Sequence, residues 1–594
     1  MNVFVKISNL FSREQWSLLA VAAAGLMFRV MYLLEFSGQV HFSFAIGADI
    51  AEYNARAREL LAGKLFPDFP DIHAPLYSLF LAGLYKISDY SVVFVRWVQM
   101  LMNFAAYIAV VPLLKRLGAP FRIQFAYLLL AMLIPVIFFH QAELISESLL
   151  APLIIGTMWL LYIGQRKKSC LFGAGCMTGA ILLTHGLMIF FAGAELIYML
   201  SRKKWRDTGM FAAGVLLLIL PVIAANSMYY GKFTGIQANA GYNLWIGHNS
   251  DATGGCYLRP GRMWRVPLEQ GRGEAVERGV SEDRIFLEKV GRFYLDEPLR
   301  ALLLIPKKVL LLFDPGEPVA GADSEALIRC TVIQQLGAGG FAVVLLLALS
   351  GIFFAVRKKE KTYIHFYILV GAVAAGLLLT VVSGRYRQGM MPGLILLAAL
   401  GAVYFPWRKW SVGVLLVVAV SSAVLINLRA LSGRAEAASL QGEIYYSTGE
   451  LKKAEQLLLF AEKEIDDPAR FDNMLGSIAR RKGDLTEAKK RFSRVIMLEP
   501  GFGDGWINLG YLYFRRPGMR PQAVHLIKEG LKRDPKMANG HNLLALDAVE
   551  RRDFTTAEKY FALAVKFAPG NEVYVRNLAN CRRLLAEQKI KGVQ

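Results

Sequence analysis

Tyr107-Ile108-Ala109-Val110-Val111-Pro112-Leu113-Leu114-Lys115-Arg116 is an uncharged apolar run that stops on two basic residues. A membrane-spanning helix meets the cytoplasmic surface in this way, and the pattern recurs along the chain. Windows of about 20 apolar residues fall at 16–35, 91–114, 121–139, 143–163, 169–184, 186–201, 208–226, 333–356, 362–382, 389–405 and 410–428. Lys115-Arg116 with Arg122, Arg166-Lys167-Lys168, Arg202-Lys203-Lys204 with Arg206, Arg357-Lys358-Lys359 and Arg408-Lys409 occupy alternate connections. They are in phase with Lys6 and Arg13 ahead of the first window. The phase predicts an all-α, polytopic bundle of about eleven spans, with these clusters in the cytoplasm. Segments 36–90 and 227–332, the connection around Arg385 and everything after 428 then lie outside.

Composition agrees. Of 594 residues 55% are hydrophobic and only 19% charged, against about 25% charged in ordinary soluble proteins. The net charge of +21 comes from Lys and Arg that punctuate apolar segments rather than forming a stripe, which argues against nucleic acid as a partner. Five cysteines make no disulfide framework. Cys170 and Cys176 read as small core residues, and a bridge between Cys256 and Cys330, which share one outside segment, stays open. The first apolar window is long enough to remain as a spanning helix instead of a cleaved signal. The chain has no P-loop, no dinucleotide glycine motif and no His/Cys metal spacing. The expectation is no cofactor and no required metal, with a divalent cation left open.

From about 435 the sequence turns charged and amphipathic, and it repeats. Ala454, Ala488, Ala523 and Ala557 keep a step of about 34 residues, as do Gly449, Gly483, Gly518 and Asp553, and Pro500, Pro535 and Pro569. Leu475-Gly476 and Leu509-Gly510-Tyr511 recur at the matching place. Over 435–590 this resembles the tetratricopeptide repeat, an α-solenoid of helix pairs that works by presenting a concave surface. The expected domains are therefore a transmembrane unit at 1–430 with outside loops 36–90 and 227–332, and a repeat domain at 435–590 outside the cytoplasm.

Several outside residues carry candidate chemistry. A helix from about 49 to 62 would set Asp49, Tyr53 and Arg56 on one face. Asp49 reads either as a helix N-cap, with Glu52 three residues on, or as a base at the bilayer edge, where an acid is costly without a role. Glu143 and Glu147, at a junction of two spans, sit four residues apart and would share a helix face. They read as wetted interfacial acids or as partners of Asp49. Tyr242, Asn243 and Asn249 in Gly241-Tyr242-Asn243-Leu244-Trp245-Ile246-Gly247-His248-Asn249 suit sugar hydroxyls, or else an ordinary turn. Lys307-Lys308 would face lipid phosphate or snorkel. Arg385 and Arg387, in Ser383-Gly384-Arg385-Tyr386-Arg387-Gln388, run against the charge rule on the outside, which calls for an anionic partner such as phosphate, or for headgroup anchoring. His185, in Thr184-His185-Gly186, reads as a structural polar residue.

The order Asp49, Tyr53, Ala57-Arg58-Glu59, His73-Ala74-Pro75-Leu76 resembles the first external loop of GT-C membrane glycosyltransferases. It is nearest the branch of protein O-mannosyltransferases and the lipid A aminoarabinose transferase (glycosyltransferase family 39). Ile50 stands where that family often has a second acid, and His73 where a Lys is common. The resemblance implies a catalytic acid at Asp49, with Glu143 as a companion acid at the span junction. Arg385 and Arg387, followed by Pro392, match the family's donor-phosphate pattern, with Lys307 added as a phosphate contact. Tyr53, Arg56, His73, Glu147, Tyr242, Asn243 and Asn249 become substrate contacts. The implied activity is inverting transfer of a sugar from a polyprenyl-phosphate donor to a protein or glycan acceptor on the periplasmic or luminal face. The implied place is a bacterial inner membrane or its equivalent. Rival readings are a transporter or flippase for lipid-linked sugars, or a polymerase or ligase, with the repeats as a scaffold. A flippase would show charges paired through the bundle middle and inverted repeats.

Overall fold

The computed structural model describes residues 12–37, 42, 48–67, 73–231, 233–237, 240–252, 254–255, 270–271, 273–275, 277–313, 340–404, 434–516, 518–568 and 571–591. The chain divides into two compact units at residues 437 and 438. The described residues are helical, with an isolated bridge between Gly255 and Val382.

In the first unit the helices are α1 (Arg13–Ser37), α2 (Ala48–Leu61), α3 (Pro75–Ser88), α4 (Val92–Arg116), α5 (Phe121–Leu133), α6 (Pro135–Ala142), α7 (Glu147–Gly164) and α8 (Ser169–Leu182). They continue as α9 (Ile189–Ser201), α10 (Trp205–Tyr230), α11 (Ala240–Ile246), α12 (Glu282–Asp296), α13 (Pro298–Leu312), α14 (Gly340–Lys358), α15 (Ile364–Leu379) and α16 (Met391–Tyr404). Four of them, α1, α4, α7 and α10, are long and apolar enough to cross a membrane, and α5, α8, α9 and α15 are shorter apolar helices. The window at 410–428 and the start of the one at 333–356 lie outside the described residues.

Lipid gives helices no hydrophobic reason to associate, so close backbone approach has to hold them. Glycines supply it. A Cβ on Gly214 of α10 would sit 2.2 Å from the Phe172 carbonyl oxygen of α8, and one on Gly175 would meet Phe211 in return. α14 and α16 repeat the device, with Gly351 against Leu397 and Gly401 against Leu347.

Where helices break, buried arginines satisfy the freed carbonyls. Pro135 ends α5, and Arg29 of α1 donates to the oxygens of Ala131 (3.1 Å) and Met132 (3.2 Å). Between α6 and α7, residues 143–146 leave the helix, and Arg96 of α4 donates to Ala142 O at 2.7 Å. This second break corrects the expectation that Glu143 and Glu147 share a helix face. Glu143 is extended (φ −76, ψ 147), and Glu147 opens the next helix.

The second unit is a tetratricopeptide array. Its helix pairs are α17 (Arg434–Thr448) with α18 (Leu451–Glu462), α19 (Pro468–Lys482) with α20 (Leu485–Leu498), α21 (Gly503–Phe514) with α22 (Arg520–Arg533) and α23 (Ala538–Glu550) with α24 (Phe554–Phe567). α25 (Glu572–Lys591) closes the series. The periodic alanines Ala454, Ala488, Ala523 and Ala557 are fully buried at the helix crossings. Gly449, Gly483 and Gly518 take left-handed turns (φ 90, 88 and 78). In the fourth repeat Arg552 takes that turn (φ 58), while Asp553 caps α24 by accepting from Thr556 N, as Asp484 caps α20. First helices of adjacent repeats are tied by amide pairs, Asn508 to Asn473 at 2.8 Å and Asn577 to Asn542 at 3.0 Å.

Candidate active site

Asp49 lies in the first turn of α2, with its side chain 28% exposed. Glu52, which a capping box would turn back onto the helix end, reaches instead to His73 Nε2 at 2.7 Å. His73 sits in the turn before Pro75 opens α3, and its Nε2 is 4.0 Å from Asp49 Oδ1. The other Asp49 oxygen forms an ion pair with Arg385 Nη2. Arg385 begins the 3₁₀ turn Arg385–Met390 between α15 and α16, and its Nε lies 3.2 Å from Glu147 Oε1. His185 Nε2 approaches the same Glu147 oxygen at 3.6 Å. One charged line thus runs Glu52, His73, Asp49, Arg385, Glu147, His185.

Aromatic rings frame it. Tyr53 is buried with its ring 4.4 Å from that of His73 and edge-on to Tyr77 at 4.8 Å. Tyr386 lies edge-on to His185 at 4.9 Å and beneath the Arg385 guanidinium at 5.0 Å. The line also sets protonation. Burial pushes the Asp49 carboxyl up, but Arg385 and His73 outweigh it and hold the group below the usual carboxylate value. Burial likewise lowers His73, yet the hydrogen bond it donates to Glu52 and the charge of Asp49 raise it overall. Tyr53 is raised well above its ordinary value by burial and by the charges of Glu147 and Asp49.

The other expected site residues separate. Glu143 is buried against Arg96 (3.4 Å) and contributes no link in the charged line, so the junction acid beside Asp49's partner is Glu147. Arg387 is 1% exposed, donates to Leu311 O and lies over the Phe341 ring at 4.3 Å. It braces the turn from behind rather than presenting charge to a ligand. Arg56 closes its own loop on Glu59 (3.0 Å) and on the carbonyls of Lys64 and Leu65. Tyr242 packs edge-on to Phe286 at 5.4 Å. Asn249 donates to Trp245 O at 2.8 Å and accepts from Asp251 N at 2.8 Å, which is turn chemistry. Asn243 is half-buried on α11. Lys307 is exposed, whereas Lys308 is buried, donating to Thr380 O and meeting His248 Nε2 at 2.8 Å. Burial pushes Lys308 down to about 7; burial and the Lys308 charge push His248 to about 4. Tyr294 OH completes the cluster at 2.6 Å from His248 Nδ1.

Among the described residues Asp49, Glu52 and His73 each offer one ligand atom, all within 4.8 Å of one another, so this corner could hold a divalent cation. One nitrogen and two carboxylate oxygens suit Mn²⁺ or Zn²⁺. The free cysteines Cys170 and Cys176 are half-buried and Cys581 is buried, while Cys256 and Cys330 fall outside the described residues.

Residues 72–229 match the family model described as dolichyl-phosphate-mannose-protein mannosyltransferase, a glycosyltransferase family. The matched stretch carries His73, Glu147 and His185; Asp49 and Arg385 lie beyond it. No curated protein matches the chain. Among solved structures, MamA is 21% identical over 22% of this chain and 77% of its own, with a TM-score of 0.19. YrrB, titled a TPR protein with an unusual peptide-binding site, is 16% identical over 27% and 90%, with a TM-score of 0.20. The yeast Tom70 is 13% identical over 73% and 96%, with a TM-score of 0.24. Likeness at that level carries no argument about mechanism.

Proposed function

We propose that this membrane protein is an inverting glycosyltransferase that moves a sugar, mannose being the first candidate, from a polyprenyl-phosphate donor to a protein or glycan acceptor. The matched family supports the reaction class. The observation that carries the mechanism is the contact between Asp49 and Arg385, a proton acceptor and a phosphate-binding group brought together from distant parts of the chain. In the reaction an acceptor O–H attacks the anomeric carbon and its proton passes to Asp49. The bond from that carbon to the phosphate oxygen breaks, and the electron pair leaves on the phosphate, stabilised by Arg385. The mechanism requires no metal, although the Asp49–Glu52–His73 corner has room for a divalent cation.

An arriving phosphate competes for the guanidinium that now holds Asp49 low. Donor binding therefore raises the basicity of Asp49 at the moment a base is needed. The alternating basic clusters favour a multi-pass arrangement with this site and the repeat array outside the cytoplasm, where the array aligns the acceptor. The test is release of polyprenyl phosphate by purified protein given candidate lipid-linked sugars. Wild type releases it and Asp49→Asn does not, at unchanged folding. Turnover retained in Asp49→Asn removes Asp49 from the role; a flippase would release no lipid phosphate, and a ligase would release lipid pyrophosphate from a pyrophosphate-linked glycan instead.

A further inference from the structure

α13 joins two unlike faces. One face carries Ala301, Leu304, Lys308 and Leu312, all buried, with Ala301 and Leu304 packed on Phe293 and Ala252. On the opposite face Leu299, Leu302, Leu303 and Leu310 are 59–77% exposed, and Phe313 continues the stripe one turn on. At 100° per residue these five fall within one third of the circumference. Arg300 and Lys307, seven residues apart, lie together along one edge of the stripe, both exposed. Arg300 also pairs with Glu297 at 2.8 Å. From Pro298 to Phe313 the chain has three basic residues and no acid. Fifteen residues make a helix about 22 Å long, short of the roughly 30 Å hydrocarbon core, so α13 does not span.

The helix is located by its inner face. Lys308 Nζ donates to Thr380 O, the residue that ends the apolar helix α15, and Leu311 O accepts from Arg387 in the turn that also carries Arg385. α13 therefore sits at the membrane-surface end of α15, beside the charged line. An apolar face at that level, edged by Lys307 and Arg300, matches the boundary between acyl chains and phosphate headgroups.

We propose that α13 lies in the plane of the membrane, its leucine stripe sunk among acyl chains and Lys307 and Arg300 at lipid phosphates, on the surface to which the Arg385 turn opens. Bilayer contact then fixes α13, and α13 fixes the arginine turn through Lys308 and Leu311. The inference rests on the chain being a membrane protein and not on the reaction assigned to it.

The experiment places a nitroxide on Leu299→Cys, Leu303→Cys, Leu310→Cys and Lys307→Cys, one at a time, in full-length protein whose own cysteines are replaced. Each is reconstituted in vesicles of phosphatidylethanolamine and phosphatidylglycerol and read by power saturation with oxygen and with a water-soluble nickel chelate. Labels at 299, 303 and 310 are expected to relax more with oxygen than with nickel, and the label at 307 to show the lower ratio of the four. Greater nickel access at 303 and 310 puts the stripe in water and overturns the proposal. Low access to both reagents puts it under protein, a second copy or another partner, and also overturns it. Four surface positions guard against one variant failing to fold, and the readout is independent of sugar transfer.

Discussion

Replacing Arg385 with Gln tests the electrostatic arrangement directly. The variant removes one cation from between two carboxylates while keeping a polar side chain of moderate size. Breaking a buried ion pair by removing one partner costs about 3–5 kcal/mol. Arg385 is 17% exposed, Glu147 2% and Asp49 28%. Partial solvation of Asp49 places the loss toward the lower end, about 3 kcal/mol, or roughly a hundredfold in the unfolding equilibrium. The cost should depend on pH with a definite sign. In wild type the Asp49 carboxyl is held below its unfolded value, so its contribution is complete above that value and is lost as pH falls through the folded one. Without Arg385, burial is the leading influence and raises the group. The penalty is then present at alkaline pH and is relieved by protonation as pH falls. Unfolding in mild detergent by titrated dodecyl sulfate, followed by tryptophan fluorescence, reads both effects. The double variant Arg385→Gln with Glu147→Gln should recover part of the loss. Equal stability of Arg385→Gln and wild type at about pH 8, or a gap that does not narrow on acidification, would refute the arrangement.

Three further outcomes are expected. The acid limb of kcat should lie at higher pH than that of kcat/KM, because the former reports the donor-bound enzyme, in which phosphate shares Arg385; coincident limbs in the rate profiles would show that Asp49 is not released by the donor. Lys308→Met should cost about 1–3 kcal/mol by removing the buried hydrogen bond to Thr380 O, whereas Lys307→Met should stay within about 0.5 kcal/mol. Because burial lowers Lys308 to about 7, the unfolded chain binds the extra proton from there up to the ordinary lysine range, so wild-type stability should climb with pH across that window and the variant's should not. Gly214→Val should separate α10 from α8 by clashing with the Phe172 carbonyl and should abolish well-folded protein on size-exclusion chromatography, while Gly209→Ala, with open space at its Cβ, should not.

Much of this was legible because lipid imposes simple rules. Apolar windows found α1, α4, α7 and α10, and a step of 34 or 35 residues found the repeats. Asp49, Glu147 and Arg385 were each legible as charged residues out of place at a membrane edge, and His73 through the resemblance to the family's first external loop. Their grouping was not, since nothing local ties residue 49 to residue 385. Glu143 reads as the junction acid nearer the surface, but with the helix broken at 143–146 it meets Arg96 while Glu147 meets Arg385. Lys308 had a visible signal. It is spaced seven residues after Ala301 and four before Leu312, on the face those residues bury, whereas Lys307 falls on the outer edge. Glu52 and His185 carried no comparable mark, because a helix-start acid and a polar residue at a helix junction are both commonplace.

The placement of the charged residues has a common cause. A helix inside lipid satisfies its own backbone and has little use for ionised side chains along its length. Its ends differ, since the last four carbonyls and first four amides there are unpaired, and the chain must turn among polar groups. Asp49 stands in the first turn of α2 and Glu147 in the first turn of α7, where the helix dipole favours an anion. His73 precedes α3, His185 accepts from Leu187 N at the start of a 3₁₀ turn, and Arg385 opens another between α15 and α16. Five helix ends therefore meet at one level, and each contributes a group that no helix interior would carry. Such a site is assembled where helices stop, which on the proposed reaction is where a lipid-borne donor would bring its phosphate.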